Sequence, residues 1–283
     1  MTQFSTADQS GQLPKSAQRW RMPLLLRISA VLHAAMLLLT LVVPAAWGWA
    51  LVVLGLNHVL ITVTGLLPRS NWLGHNYIRL PPASIARREI ALTIDDGPDP
   101  TVTPLVLDLL AQHNIKATFF CIGAKAALHP ALCRSIAERG HFVENHSQQH
   151  HHWFSLMGGA GMHREIVDAQ QTLATITGRA PRFFRAPAGL RNPFLDPVLT
   201  QLQLPLVAWS RRGYDTKTTN AAVVCQRLLK GLAPGAILLV HDGNCAGTIY
   251  GTPVLLEVLP MLFSAARKAD LHFVTLDHAI PHQ

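Results

Sequence analysis

Charged residues are scarce in this chain of 283 residues, since Asp, Glu, Lys and Arg together make up 14% of it. An ordinary soluble domain carries roughly 25%, so the composition argues against a chain that is soluble along its whole length. Hydrophobic residues make up 49% of the sequence, which excludes intrinsic disorder. The length allows one large domain or two small ones.

Cysteine is also sparse, and no two cysteines have the CxxC spacing. This pattern excludes a zinc knuckle and a disulfide framework, and it predicts free, buried thiols. The four residues concerned are Cys121, Cys133, Cys225 and Cys245.

Acidic residues are almost absent from the first 88 residues, which contain eight basic residues and one acidic residue, Asp8, for a net charge of +7. The remaining residues contain 16 basic and 15 acidic side chains, for a net charge of +1. The main domain therefore lacks the basic surface that nucleic-acid binding requires, and we expect no nucleic-acid partner. The basic residues instead flank an apolar region, as at the edge of a membrane.

No charged residue occurs in the 41 positions from Ile28 to Pro68. Two apolar stretches lie in this region, and each approaches the ~20 residues that a helix needs to cross a bilayer. The sequence predicts a basic tail over 1–23, two transmembrane helices over 24–67, and a linker over 68–88. A single span with a membrane-lying segment is one alternative. A cleaved signal peptide is the other, although the apolar region is much longer than such a peptide needs.

The basic residues lie on both outer flanks of the apolar region, while the connection between its two stretches has no charge. The positive-inside rule then predicts a hairpin with both ends in the cytoplasm. The expected protein is a multi-pass protein of a bacterial-type inner membrane, with its main domain on the cytoplasmic side. A single span would place that domain on the opposite side.

From residue 89 to 283, short apolar runs alternate with amphipathic helical stretches, which indicates an α/β domain with a parallel sheet. Such units close into a barrel or form an open doubly wound sheet, and both arrangements place reactive groups at the carboxyl ends of the strands. The predicted strands are 89–94, 115–121, 141–145, 181–185, 204–209, 236–241 and 271–276.

Two of these strands end in groups that suit a divalent cation. Asp95 and Asp96 end the first strand, just before a Gly-Pro turn. His146 and His150 follow the third strand, and their i and i+4 spacing places both imidazoles on one side if the segment is helical. Asp96 with these two histidines would form a set of two imidazoles and one carboxylate that leaves coordination positions open.

Later strands end in residues suited to charge stabilisation and proton transfer. Arg185 ends the fourth strand, where it can hold a neighbouring carboxylate ionised and fixed. Asp215 follows the fifth strand and is a candidate partner for a catalytic acid or base. His241 ends the apolar sixth strand, and imidazole is the usual group for proton transfer near neutral pH.

Five motifs in this order resemble those of the NodB-type polysaccharide deacetylases, carbohydrate esterase family 4: residues 93–98, 146–150, 185–189, Asp215, and 240–241. The resemblance covers about residues 89–276. It implies a distorted (β/α)7 barrel that binds zinc, or alternatively cobalt, nickel or manganese. The implied metal ligands are Asp96, His146 and His150.

The resemblance also implies a role for each remaining site residue. Asp95 would be the general base that deprotonates the attacking water, and Arg185 would orient it. His241 would be the general acid that protonates the leaving amine, and Asp215 would tune it. The backbone N–H of Ala188 would stabilise the oxyanion. The implied substrate is an N-acetylated amino-sugar polysaccharide or a lipid-linked saccharide, and an O-linked acetyl ester is the alternative bond.

Three positions depart from the family pattern, and all three would border the substrate groove. The family usually has an aromatic residue where Ala188 stands, often a Trp where Thr216 stands, and an Asp near Arg212. Because the catalytic set is intact and the groove is altered, the substrate is the open part of the prediction. A catalytically weak saccharide-binding or assembly protein on the same barrel is the alternative function.

Overall fold

The computed structural model describes residues 19–281, so most of the predicted basic tail lies outside the described residues. The described chain begins with two long helices, α1 (Leu24–Val42) and α2 (Trp47–Gly65), joined by the 3-10 turn Pro44–Ala46. Both helices are long and apolar enough to cross a membrane. Most of their side chains are not covered by the rest of the chain, unlike those of a core helix in a soluble domain.

A short polar contact joins the two helices. The amide Nδ2 of Asn57 donates a hydrogen bond to the Ser29 hydroxyl at 2.7 Å, and both side chains are buried. The imidazole rings of His33 and His58 lie 5.1 Å apart beside this contact. Polar side chains of this kind hold apolar helices together where lipid offers no other partner. We refer to residues 24–65 as the helical hairpin.

The rest of the described chain alternates strands with helices. The strands are β1 (Glu89–Asp95), β2 (Thr118–Cys121), β3 (Phe142–Asn145), β4 (Arg211–Arg212), β5 (Ile237–His241) and β6 (His272–Val274). The helices are α3 (Pro82–Ala86), α4 (Val102–Gln112), α5 (Gly123–Leu128), α6 (Pro130–Glu138), α7 (Gly159–Thr177), α8 (Leu195–Leu202), α9 (Ala221–Leu229), α10 (Val254–Lys268) and α11 (Leu276–Ala279). Two further 3-10 turns occupy Phe154–Leu156 and Pro187–Gly189.

The strands pair in the order β3-β2-β1-β5-β4, and β6 pairs with the start of β1. All of these pairings are parallel. Isolated bridges from Asn145 to Phe184 and from Phe184 to Leu206 connect β3 to the segment that leads into β4. Strand pairing therefore continues around a ring. The predicted parallel α/β fold is confirmed.

The predicted strands over 181–185 and 204–209 are reduced to these bridges. Pro181 and Pro205 have no N–H to donate to a ladder. In addition, the carbonyl oxygens of Val207 and Ala208 accept hydrogen bonds from the Arg185 guanidinium. The short strand β4 then forms at Arg211–Arg212, two residues beyond the predicted fifth strand.

Strand β1 lies at the centre of the sheet, and all seven of its residues are buried. Ile90, Leu92 and Ile94 pack against the outer helical layer, while Ala91 faces a second apolar cluster that includes Trp209. Burial of one large aliphatic side chain stabilises the fold by about 1.5–3 kcal/mol relative to its exposed state. The end of β1, which carries Asp95, is thus held firmly in the core.

Both ends of the helical hairpin contact the main domain at one place. The Trp20 indole N–H, just before α1, donates to Asp196 Oδ2 at 2.7 Å. The carbonyl of Gly65, at the end of α2, accepts from the backbone N–H of Arg191 at 3.1 Å. A side chain at position 65 would clash with the Arg191 carbonyl oxygen, so glycine allows the close approach.

Candidate active site

Two adjacent carboxylates reach one cleft because the chain changes direction between them. Asp95 is the last residue of β1, and its Oδ1 accepts a hydrogen bond from Arg185 Nη1 at 2.6 Å. Asp96 has φ 70°, a left-handed conformation that ends the strand and turns its side chain toward the same cleft. The glycine that follows is required, since a Cβ at Gly97 would clash with the Asp242 carboxylate.

Asp96 and two histidines form a compact cluster. Asp96 Oδ1 lies 3.2 Å from His146 Nε2 and 3.3 Å from His150 Nε2. One donor atom from each of the three residues lies within 4.8 Å of the others. The structure thus brings together the three residues that the sequence predicted as metal ligands.

The segment over 146–150 is a loop rather than the helical turn in which the i and i+4 spacing would place both imidazoles on one side. Ser147 (φ 64°) and His150 (φ 52°) both have left-handed backbone conformations. The Asn145 side-chain oxygen accepts from the Ser147 N–H at 2.9 Å, and the Ser147 hydroxyl accepts from the His150 N–H at 3.0 Å. These local hydrogen bonds, rather than helical periodicity, bring the two imidazoles together.

The protonation chemistry of the cluster fits a divalent cation. His146 Nδ1–H donates to the Arg185 carbonyl at 2.8 Å, which fixes the ring and orients Nε2 toward Asp96. Burial lowers the pKa of His150 to about 4, and the charge of His146 acts in the same direction, so this imidazole is neutral at pH 7. Burial alone would raise the pKa of Asp96, but the hydrogen bond and charge of His146 hold it well below the usual range. Neutral imidazoles and an ionised carboxylate are the forms that bind metal.

Arg185 is 1% exposed, and each of its polar groups has a partner. Its Nη1 donates to Asp95 Oδ1 and to the Thr93 hydroxyl, the latter at 2.9 Å. Its Nε and Nη2 donate to the carbonyls of Val207 and Ala208 at 3.0 and 2.8 Å. A guanidinium held at four points fixes the orientation of the Asp95 carboxylate.

His241 is the last residue of β5 and pairs in register with Asp95. Asp215 holds it in two ways: Oδ1 accepts from His241 Nδ1–H at 3.0 Å, and Oδ2 accepts from the His241 backbone N–H at 2.6 Å. Burial alone would lower the pKa of His241. The hydrogen bond and charge of Asp215, with smaller contributions from the charges of Asp95 and Asp96, instead raise the pKa of His241 above its ordinary value.

The family comparison agrees with this geometry. The model of the polysaccharide deacetylase family matches residues 84–207. Peptidoglycan-N-acetylglucosamine deacetylase PgdA of Listeria monocytogenes is 37% identical over 196 residues, which are 69% of this chain and 40% of that protein. A peptidoglycan-N-acetylglucosamine deacetylase of Bacillus cereus is 33% identical over 195 residues, which are 67% of each chain. This chain belongs to the polysaccharide deacetylase family, carbohydrate esterase family 4.

A solved structure supports the same assignment. The Bc1960 peptidoglycan N-acetylglucosamine deacetylase, crystallised with a hydroxamate-type benzamide ligand, superposes with a TM-score of 0.65 and 29% identity. The match covers 72% of this chain and 92% of that one. The parallel-sheet domain is therefore a carbohydrate esterase family 4 fold.

Ala188 is the first of the three positions that depart from the family pattern. It lies exposed in the 3-10 turn Pro187–Gly189, with φ 54°. The next residue, Gly189, packs so closely on Trp209 that a Cβ there would clash with the indole. Arg212, the second departure, lies with its guanidinium carbon 4.5 Å from the centre of the Tyr214 ring. Ala188 is thus exposed, while Arg212 is half-buried beside Tyr214.

Sequence reasoning did not identify several side chains that support the cluster. Asn244 Nδ2 donates to Asp96 Oδ2 at 3.2 Å, and Lys125 Nζ donates to the Asp96 carbonyl at 2.8 Å. Burial raises the pKa of Asp242 to about 7, and this carboxyl accepts from the Thr103 hydroxyl at 2.5 Å. Two of these side chains, Asp242 and Asn244, lie in the run of residues from His241 to Asn244 at the end of an apolar strand, and this position was the available sequence signal for them.

Proposed function

We propose that this protein is a metal-dependent deacetylase that removes acetyl groups from N-acetylated amino sugars while its helical hairpin holds it in a membrane. The cluster of Asp96, His146 and His150, next to the paired positions of Asp95 and His241, is the observation that supports the proposal best. Three protein donors with open positions beside them are typical of a catalytic rather than a structural site.

Asp96, His146 and His150 would hold the cation, and Asn244 would orient the second oxygen of Asp96. A divalent cation in this position supplies a Lewis acid that makes water easier to deprotonate and polarises an acyl oxygen. Zinc suits two imidazoles and one carboxylate, and cobalt, nickel and manganese accept the same donors.

Asp95 would act as the general base. Arg185 occupies its Oδ1, while its Oδ2 lies 3.8 Å from His146 Nε2 and therefore faces the cluster. That oxygen can take a proton from a water that attacks the acetyl carbon. Arg185 serves as a positioning residue, since it contacts the base rather than the cluster.

His241 would act as the general acid, because an amine leaves only when it is protonated. Asp215 accepts from Nδ1–H and so fixes the tautomer, which leaves Nε2 as the ring nitrogen that transfers the proton. The raised pKa of His241 extends to higher pH the range over which that proton stays bound. The backbone N–H of Ala188 would donate to the oxyanion, the role that the family resemblance gives this position.

The substrate class follows from the family and from the cleft. The two relatives above are named for the removal of acetyl groups from N-acetylglucosamine in peptidoglycan. Ala188 and Thr216 are small where relatives usually carry aromatic side chains, so we propose an acetamido sugar held in a wider groove. An O-acetyl ester is the second bond that the same groups could hydrolyse.

Membrane attachment is supported by the length, apolarity and exposure of α1 and α2. Exposed arginines, among them Arg19, Arg21 and Arg69, lie near the domain end of the hairpin, while its tip around Trp47 and Trp49 has no charge. The positive-inside rule then favours a cytoplasmic main domain in a bacterial-type inner membrane. A cytoplasmic enzyme would meet lipid-linked or nascent saccharides rather than finished cell-wall polymer.

Acetate release from chitopentaose by the purified full-length protein tests the activity. Chelation should abolish release, and readdition of zinc or cobalt should restore it. Metal-independent release would contradict the proposed chemistry. Binding of chitopentaose with no release on soluble or lipid-linked acetamido sugars would favour the saccharide-binding alternative.

A further inference from the structure

The base of the helical hairpin is built into the border of the active site. Arg191, three residues after Ala188, donates its backbone N–H to the Gly65 carbonyl and its guanidinium to the carbonyls of Ser70 and Gly74. The turn at Gly189 is in contact with Pro68, in the segment that leaves α2. The loop that would supply the oxyanion donor and the base of the hairpin therefore form one packed unit.

The same unit extends to the loop that carries His150. Asn192 Nδ2 donates to the carbonyls of Ser155 and Met157 at 2.9 and 2.8 Å, so the two loops are joined. Large apolar side chains are exposed along these segments. Leu156 is 82% exposed and Phe194 is 55% exposed. We define four of these side chains as the interfacial rim: Trp72, Trp153, Leu156 and Phe194.

These segments carry basic side chains but no acidic ones. Residues 65–76, 150–163 and 186–195, which carry the rim and both loops, contain no Asp or Glu. The exposed cations nearby include Arg69, in the first of these segments, and Arg27, in the first turn of α1. Exposed Trp, Leu and Phe beside arginines are typical of a surface that lies among anionic lipid headgroups. The carboxylates that flank these segments, Glu165 and Asp196, are engaged by His151 and Trp20.

We propose that the interfacial rim lies in the headgroup layer of the bilayer that holds the hairpin, so that the active site takes an acetamido sugar carried on a membrane-embedded lipid. This inference rests on the proposed deacetylase function. The rim is continuous with the hairpin base, and a bilayer around the hairpin is therefore the surface closest to it. Isolated apolar residues are common on soluble surfaces, but four on hydrogen-bonded segments beside an apolar hairpin are typical of a surface that has a partner.

The spacing between the site residues and the rim residues also explains why a lipid-linked sugar suits this site. His150 and Trp153 lie three residues apart on one loop, and Ala188 and Phe194 lie six residues apart on the other. A sugar between these loops is thus only a few residues from the proposed lipid surface. A lipid chain attached to that sugar can remain in the bilayer during the reaction, which reduces the cost of binding by keeping the substrate at the surface.

The test uses the full-length protein in vesicles of phosphatidylethanolamine and phosphatidylglycerol. One substrate is N-acetylglucosamine linked through phosphate to a polyprenyl chain in the same vesicles, and the other is soluble chitopentaose. Leu156→Ser and Phe194→Ser should each lower kcat/KM on the lipid-linked sugar by about tenfold and leave that on chitopentaose within about twofold. Leu128→Ser, at an equally exposed leucine at the end of α5, is the matched control and should change neither.

Equal effects of the rim variants on both substrates, or no effect on either, would overturn the inference. Loss of acetate release from both substrates in the unmodified protein would instead refute the proposed function. A second measurement does not require turnover: a fluorophore on Leu156→Cys should be quenched by brominated lipids at least about twice as strongly as one on Leu128→Cys. Equal quenching contradicts the proposal. Protection of position 156 that persists in detergent and rises with protein concentration would assign the rim to a second copy and also overturn it.

Discussion

Asp95 and His241 are paired residues at the ends of two adjacent parallel strands, β1 and β5. The two groups proposed to accept and donate protons are therefore spaced by strand pairing in the core, while the loops contribute the surrounding residues. Neighbouring strands lie about 4.7–4.9 Å apart, and that spacing varies little. Because Asp95 and His241 lie on different strands, substitutions can test their two roles separately.

Substitution of the proposed base should lower turnover strongly without loss of metal. Asp95→Asn keeps the shape of the side chain and its contact with Arg185, but it removes the site that takes the proton. We expect kcat to fall by about 10²–10⁴-fold, with metal content unchanged when measured by atomic absorption. Asp99→Asn, at a carboxylate that accepts from the N–H groups of Thr101 and Val102, is the control and should retain activity. Full activity of Asp95→Asn would remove Asp95 from the mechanism.

The pH profile should report the partnership of His241 and Asp215. Because Asp215 raises the pKa of His241, the acid stays protonated to higher pH than an isolated imidazole would. Asp215→Asn removes the carboxylate charge, so the His241 proton should dissociate at lower pH. The basic limb of the plot of kcat against pH should therefore shift to lower pH. Asp108→Asn, at an exposed carboxylate paired with Arg139, should leave the profile in place. An unchanged basic limb in Asp215→Asn would show that another group is the acid.

Asn244 should contribute to metal affinity through its hydrogen bond to Asp96. Asn244 has φ 61°, so Asn244→Gly removes the side chain without strain in the backbone. Loss of an outer hydrogen bond of this kind costs about 10–100-fold in metal affinity, which competition with a fluorescent chelator measures. Asn114→Gly is a matched control at a second exposed asparagine of positive φ, 53°. Equal affinities of the two variants would contradict the role of Asn244.

The contact between the hairpin and the main domain should depend on Gly65. Gly65→Ala places a methyl group against the Arg191 carbonyl. Overpacking of this kind typically costs about 1–3 kcal/mol, so the contact between the hairpin and the main domain should be destabilised by about that free energy. Trypsin should then cleave faster after Arg69 than in the unmodified protein. Gly55→Ala, in the same helix with open space around its Cβ, should cleave at the original rate. Equal cleavage of both variants would show that the hairpin does not dock through Gly65.

Much of this architecture was predictable because apolar runs and their end residues carry strong signals. Five of the seven predicted strands are present, and Asp96, His146 and His150 meet as expected. The segment over 146–150 is not helical, because the side-chain oxygens of Asn145 and Ser147 accept hydrogen bonds from backbone N–H groups and set the loop. Such hydrogen bonds compete with helix formation locally.

Other features depended on tertiary structure that a sequence pattern does not encode. The predicted strand over 204–209 became bridges in part because its Val207 and Ala208 carbonyls accept hydrogen bonds from the Arg185 guanidinium, more than twenty positions away. The docking of Gly65 on Arg191 is likewise a contact between distant segments with no periodic signature. The hydrogen bond from Asn244 to Asp96 also joins distant segments, although the run from His241 to Asn244 marks the position in the sequence.

Anomalous diffraction from crystals of the full-length protein grown with zinc tests the central claim most directly. Data collected on both sides of the zinc absorption edge should show one strong peak in contact with Asp96 Oδ1, His146 Nε2 and His150 Nε2, and His150→Ala should weaken or remove it. A peak bound by other residues, or none at this cluster in zinc-saturated crystals, would contradict the account.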